Sequence, residues 1–264
     1  MAWRHAKHAE IPQQKLGNLP GSIGTMRQTY SEHAAVCIKF YDLVLNRVAI
    51  DQFVAEHFDV IPGARFLFVG SMFGIAECLL RRGVRLTVVD YSDAMVAIAQ
   101  ARFPQARVAQ ADLRCLPFTH AFDAVVAAGR VFAHMISDDD LRSALLSCRA
   151  ALKPYGKLFV DNYEVEKIER TAYLNGEIHV EDSTANIVRR SSITTLCDSP
   201  CVVQWDATYS GFLGNAAFAF RDTMLHRPWS RQEISSLLSQ AGFAVLRQGD
   251  NFDDTSFFTL ARSM

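Results

Sequence analysis

The chain has 264 residues, half of them apolar and 21% charged, and its 27 Lys and Arg against 28 Asp and Glu leave a net charge of −1. This is enough material for one large domain or for a core with a sizeable insertion. The near-zero charge supplies no long-range pull on polyanions, so a small molecule rather than nucleic acid is the expected partner.

Residues 1–29 are polar and hold no continuous apolar stretch, so they read as an N-terminal arm and not as a secretory signal. No window reaches the ~18 apolar residues of a membrane span. The six scattered cysteines suit free thiols in a reducing, cytoplasmic compartment.

Residues 31–58 carry Val36, Phe40, Leu43, Val44 and Val48 at three-to-four spacing, which predicts one helix. The run 66–69 then ends in Gly70-Ser71-Met72-Phe73-Gly74, a helical stretch at 75–82 is closed by Gly83, and the run 84–89 ends in Asp90-Tyr91-Ser92. This is strand, glycine turn, helix, strand and acid. In a nucleotide-binding α/β unit the turn presents backbone N–H groups to the ligand, and an acid about twenty residues on takes ribose hydroxyls. The order points to a nucleoside-bearing cofactor, and so to an enzyme.

Further apolar runs at 106–109, 122–127 and 157–161 alternate with helical patterns at 93–102 and 138–152, as in a parallel sheet covered on both faces. Ser137 and the acids after it cap the second of these helices. The period changes after about residue 165. Alternating stretches between 177 and 222 predict an antiparallel insertion. Ser230 and Glu233 form a capping box for a helix ending before Gly242, and two strands close the chain. The organisation is therefore an arm (1–29), a cofactor-binding α/β core (30–165), a β insertion (166–228) and a C-terminal helix with strands completing the core sheet (229–264).

Within the insertion, Cys197 and Cys201 lie near His179 and Asp198, but no second ligand pair exists and no metal site is expected. Arg189-Arg190 reads as a solvated face. Trp205, Tyr209 and Phe212 read as packing against the main sheet, with the wall of a substrate pocket as the alternative.

The succession 66–74, 85–95, 110–112, 122–132 and 152–163, with Phe40-Tyr41-Asp42 before it and Leu152-Lys153-Pro154-Tyr155-Gly156-Lys157 within it, resembles the class I S-adenosylmethionine-dependent methyltransferases. The nearest branch is the small-molecule one of sugar N-methyltransferases and glycine N-methyltransferase-like enzymes. The resemblance implies a Rossmann-like fold, α/β, with a mostly parallel seven-stranded sheet and an antiparallel insertion serving as a substrate lid. It implies S-adenosylmethionine as cofactor and S-adenosylhomocysteine as product.

Carried onto this chain, the resemblance makes Asp90, followed by Tyr91, the acceptor for the ribose hydroxyls. Met95 covers the adenine, Asp112 accepts from its amino group, and the Leu113 N–H lies beside it. Gly70, Ser71, Met72 and Gly74 form the turn, Ala128 and Gly129 floor the methionine end together with Arg130, and Tyr30 and Tyr41 close over it. On the acceptor side His134 is the candidate general base, Arg130 a holder of a substrate carboxylate or phosphate, and Asn162 and Tyr163 orienting groups.

Two residues depart from the family pattern. Phe68 stands where an acid usually orders the turn, and Met72 is bulky where the backbone approaches the ligand. An acid restored at position 68 is expected to leave cofactor binding unchanged or to strengthen it. The departures leave open a second reading, in which the fold has lost methyl transfer and serves as a cyclase, an isomerase or a non-catalytic partner subunit. Self-association as a homodimer also stays open.

Overall fold

The computed structural model describes residues 30, 32–168 and 173–264; the arm at 1–29 lies outside the described residues. Two helices lead in, α1 (Ala34–Val44) and α2 (Arg47–His57). They replace the single helix predicted for 31–58. Leu45 turns extended, and the Asn46 side-chain oxygen accepts the N–H groups of Val48 (3.0 Å) and Ala49 (3.1 Å), restarting the helix. A short amide that satisfies two otherwise orphaned donors outweighs a continuous apolar period.

Strands and helices then alternate: β1 (Arg65–Val69), α3 (Phe73–Arg81), β2 (Arg85–Asp90), α4 (Asp93–Arg102), β3 (Arg107–Gln110), β4 (Phe122–Ala127), α5 (Asp138–Ala151) and β5 (Leu152–Tyr163). β1 to β5 are parallel in the order β3-β2-β1-β4-β5. β10 (Phe243–Asp250) and β11 (Ser256–Ser263) complete a seven-stranded sheet, with β11 antiparallel between β5 and β10.

Both faces of this sheet are covered. On β1, Phe66 and Phe68 enter an apolar cluster with Phe53 of α2 and Ile75 and Leu79 of α3. Leu67 and Val69 enter another with Leu141 and Leu145 of α5 and Ile234 of α6 (Arg231–Gln240). Burial on both sides is why the strand reads as an uninterrupted apolar run. α6 opens on the Ser230–Glu233 capping box, each side chain meeting the other's backbone N–H. The strand order reverses at β1: the chain steps to β2 and β3 on one side, then returns to β4 and β5 on the other. Such a reversal leaves a crevice at the C-terminal ends of the strands.

A second, antiparallel sheet comprises β6 (Gly176–Asp182), β7 (Ala185–Asp198), β8 (Cys201–Leu213) and β9 (Ala216–His226) in that spatial order. Its inner side chains, Ile187, Val203, Trp205, Tyr209 and Met224, share an apolar cluster with Val36 and Phe40 of α1 and with Tyr163. Phe212 is 56% exposed and takes no part. After β9 the chain returns to the main sheet. The Arg227 N–H donates to the Ala133 carbonyl (2.7 Å) and the Trp229 N–H to the Tyr163 carbonyl (2.9 Å), which fixes His226 beside the end of β5.

Candidate active site

Two clefts open at the C-terminal ends of the parallel strands. The first is bounded by Val69, Gly70 and Ser71 after β1, Asp90, Tyr91 and Ser92 after β2, and Gly129 and Val131 after β4. Gly70 is fixed by geometry: its φ is +96°, and a Cβ would sit 2.6 Å from Val131 Cγ2 and 3.0 Å from the Ala128 carbonyl oxygen. Ala128 itself is buried beneath Gly70 and lines neither cleft, so it supports the turn through its backbone and does not floor a ligand.

Asp90 ends β2 facing this cleft. Its Oδ1 accepts the Ser92 N–H (2.8 Å), while the Ser92 hydroxyl caps α4 by accepting the Met95 N–H (3.3 Å). Burial pushes the Asp90 carboxyl up to about 6 against the lowering effect of the Ser92 and Tyr91 N–H groups. Among the described residues no cation lies within 4.0 Å to offset that burial. A desolvated carboxylate without a counter-ion suits neutral hydroxyl donors. Met95, Leu113, Val131 and Met135 supply apolar walls around it, so the cleft fits an adenosyl group.

Asp112 also lines this cleft, but its carboxylate is turned to a neighbour. Oδ2 accepts from Arg114 Nη2 (2.7 Å), Oδ1 from the Arg114 N–H (2.9 Å), and both share Nε. The guanidinium continues to Asp140 (2.8 Å) and holds the Asp112 carboxyl below its usual range. A carboxylate with its lone pairs so occupied is not a free acceptor for an adenine amino group, which corrects the role that the resemblance implied.

The second cleft runs from the turn before α3 to the β insertion. Tyr30, Tyr41, Met72 and Gly74 line it together with Tyr163, Tyr173, Trp205, Met224 and His226. Tyr30, Ser71, Gly129 and His134 border both clefts, so the two spaces meet there. Met72 fills the turn with its side chain and packs near Gly129. His134 and His226 are edge-to-face at 5.0 Å, and His226 stacks on Tyr163 at 5.3 Å. Burial pushes His134 down to about 4 and pushes His226 down as well, so both imidazoles are neutral near pH 7.

Arg130 lines the second cleft but is already paired. It takes a left-handed turn (φ +61°), and its guanidinium pairs with Asp253 and donates to Thr255 Oγ1 (3.2 Å). It is therefore not a free holder of a substrate anion. Asn162 is fully buried and lines neither cleft. Strand alternation turns it away from the side on which Tyr163 lines the second cleft, so it is not placed to orient a molecule there.

Four contributors escaped the sequence reading. Asp161, buried, accepts the N–H groups of Gly129 (3.2 Å) and Arg130 (2.8 Å) and so shapes the floor common to both clefts. His226 and Met224 enter from β9, where their spacing of two was the available signal. Arg189, read as solvated, is 1% exposed and lines the second cleft, whereas Arg190 next to it faces out; alternation on β7 separates them.

A seven-stranded sheet of this order, with an acid ending β2 over a crevice at the switch point, is the Rossmann-like fold of the methyltransferases. Residues 67–156 match the family model described as a methyltransferase domain, and the fold is that of solved S-adenosylmethionine-dependent methyltransferases. No curated protein matches the chain in sequence. Among solved structures it is similar to DesVI from Streptomyces venezuelae, at 18% identity over 88% of this chain and 99% of that one (TM-score 0.74). A sugar N-methyltransferase from Streptoalloteichus is 20% identical over 87% and 93% (TM-score 0.70). An amino pentose methyltransferase from Micromonospora echinaspora, solved with S-adenosylmethionine bound, is 18% identical over 98% and 100% (TM-score 0.65).

Proposed function

We propose that the chain moves a methyl group from S-adenosylmethionine to a nitrogen, oxygen or carbon atom of a small molecule, in a biosynthetic pathway of the cytoplasm. The observation that carries this reading is the junction of the two clefts at Tyr30, Ser71, Gly129 and His134. Among the described residues, a donor in the Asp90 cleft and an acceptor in the second cleft meet there. The solved sugar N-methyltransferases point the same way by fold. The β insertion, residues 166–228, serves as the substrate lid.

Asp90 would hold the ribose, Met95 and Leu113 would flank the adenine, and Ser71, Gly129, Tyr30 and Tyr41 would surround the methionine end. When bound, S-adenosylmethionine supplies an electrophilic methyl on a sulfonium, open to in-line displacement by a lone pair. The chain's residues contribute alignment and exclusion of water. The neutral imidazoles of His134 and His226 face the acceptor space as proton acceptors, and their surroundings disfavour a second positive charge. An amine acceptor is therefore held in its uncharged, nucleophilic form and needs no base, while burial leaves both imidazoles weak bases for a hydroxyl acceptor.

Isothermal titration with S-adenosylmethionine and S-adenosylhomocysteine tests the reading. Saturable binding of both, lost in Asp90→Ala, is the expected result. Absence of heat and of any thermal shift at millimolar ligand overturns it.

A further inference from the structure

Among the charged side chains lining the second cleft, Arg189 differs from the rest. Arg130 is paired with Asp253, Asp42 with Arg102, and Arg47 with Glu77. Arg189 is 1% exposed, and no carboxylate among the described residues lies within 4.0 Å of it. Its Nη2 donates to the Tyr173 carbonyl, while Nε and Nη1 are buried with no hydrogen-bond partner among the described residues.

Three rings hold the guanidinium in place: Tyr173 at 4.4 Å, Phe40 at 4.9 Å and Trp205 at 5.5 Å from the ring centroids. Rings offset part of the lost hydration but bring no negative charge. The indole N–H of Trp205, on the same wall, is also buried without an acceptor among the described residues. A buried cation with idle donors, next to a second idle donor, is expensive unless a ligand completes it.

We propose that the second cleft selects a substrate bearing one carboxylate, which Arg189 and the Trp205 N–H bind while the methyl-accepting atom lies at the junction with the cofactor cleft. A single unpaired cation matches a single negative charge, which favours a carboxylate over a dianionic phosphate. The assignment rests on the methyltransferase reading for the role of the junction. It stands apart from that reading for the anion.

The test uses the whole protein saturated with S-adenosylhomocysteine and three matched pairs: benzoate, phenylacetate and hexanoate against their primary amides, with phenyl phosphate as a further probe. Titration calorimetry and thermal shift should show each acid binding tighter than its amide by about tenfold or more, with phenyl phosphate no better than benzoate. Arg189→Met should erase that preference while leaving S-adenosylhomocysteine affinity within about twofold, and Arg189→Lys, which keeps the charge, should retain part of it.

Equal behaviour of acids and amides in the wild-type protein overturns the proposal, whatever the fate of the variants. So does an acid preference that survives Arg189→Met. A loss of S-adenosylhomocysteine affinity in both Arg189 variants also overturns it, since the guanidinium then serves the cofactor's own carboxylate. If the wild-type protein binds no S-adenosylhomocysteine, the methyltransferase reading fails by itself, and the acid–amide comparison on the unliganded protein still decides this one.

Discussion

Replacing Asp90 by Asn separates its two roles. The asparagine Oδ1 can still accept the Ser92 N–H now bonded at 2.8 Å, so the turn into α4 survives. The second acceptor oxygen becomes a donor, and the charge is lost. With charge-assisted hydrogen bonds contributing roughly 1.5–3 kcal/mol each, the change should cost about 3 kcal/mol of cofactor binding, a weakening of roughly 150-fold.

The wild-type carboxyl, pushed up to about 6 by burial, adds a pH signature. If the ligand uses the ionised form, affinity is complete above about pH 6 and falls by up to a decade per unit below it, so a titration at pH 5 should be about tenfold weaker than at pH 7.5. Asp90→Asn should be flat over that range. Folding carries the opposite sign. An acid whose native pKa lies above its unfolded value destabilises the native state once ionised, so the cost is absent below about pH 4 and complete above about pH 6. The cofactor-free Asp90→Asn protein should therefore be more stable than wild type at pH 7.5, on the order of 1–3 kcal/mol by urea denaturation. Calorimetric affinity for S-adenosylhomocysteine within about threefold of wild type, or a wild-type affinity constant from pH 5 to 7.5, would refute the assignment.

Other substitutions probe the frame. Phe68→Asp buries a carboxylate in the apolar cluster of β1, with Val88 and Val126 on either side, and should cost several kcal/mol in a urea melt, a penalty on folding that is separate from the sequence-based expectation for cofactor binding. Gly70→Ala must fit a Cβ 2.6 Å from Val131 at positive φ, and should lose about 2 kcal/mol or more and lower the melting temperature by several degrees. Asp253→Asn leaves the buried Arg130 guanidinium unpaired and should cost about 3–5 kcal/mol in chemical denaturation, most of it recovered in the Arg130→Met, Asp253→Asn double variant. Paired substitution of His134 and His226 by Gln should leave S-adenosylhomocysteine affinity unchanged in titration calorimetry while slowing methyl transfer by about 100-fold or more once an acceptor is in hand.

The parallel core was legible because strands buried on both faces must be continuously apolar, and the turn and acid bounding them recur where a nucleoside sits. The helix break at Asn46 was not, because a side-chain cap competes with a periodicity that spans it. Asp112 looked free because spacing shows position and not partners; Arg114 lies only two residues on and takes its lone pairs. The acceptor side was least legible. Arg189, Trp205 and His226 come from three different strands of the insertion, and only the register of that sheet and the return through Arg227 and Trp229 bring them to Tyr163 and His134. Asp161 looked like one more residue of a strand, since nothing local announces that it ties down a loop about thirty residues upstream.

β11 follows every other strand in the sequence yet lies between β5 and β10, and the loop before it carries Asp253, the counter-charge of Arg130. As the chain emerges from the ribosome, β5 waits with an open edge and Arg130 without its anion until this late segment arrives. The crevice is therefore among the last parts of this fold to be completed, and a nascent chain halted before β11 would hold the residues of the Asp90 cleft without the locked floor that joins it to the second cleft.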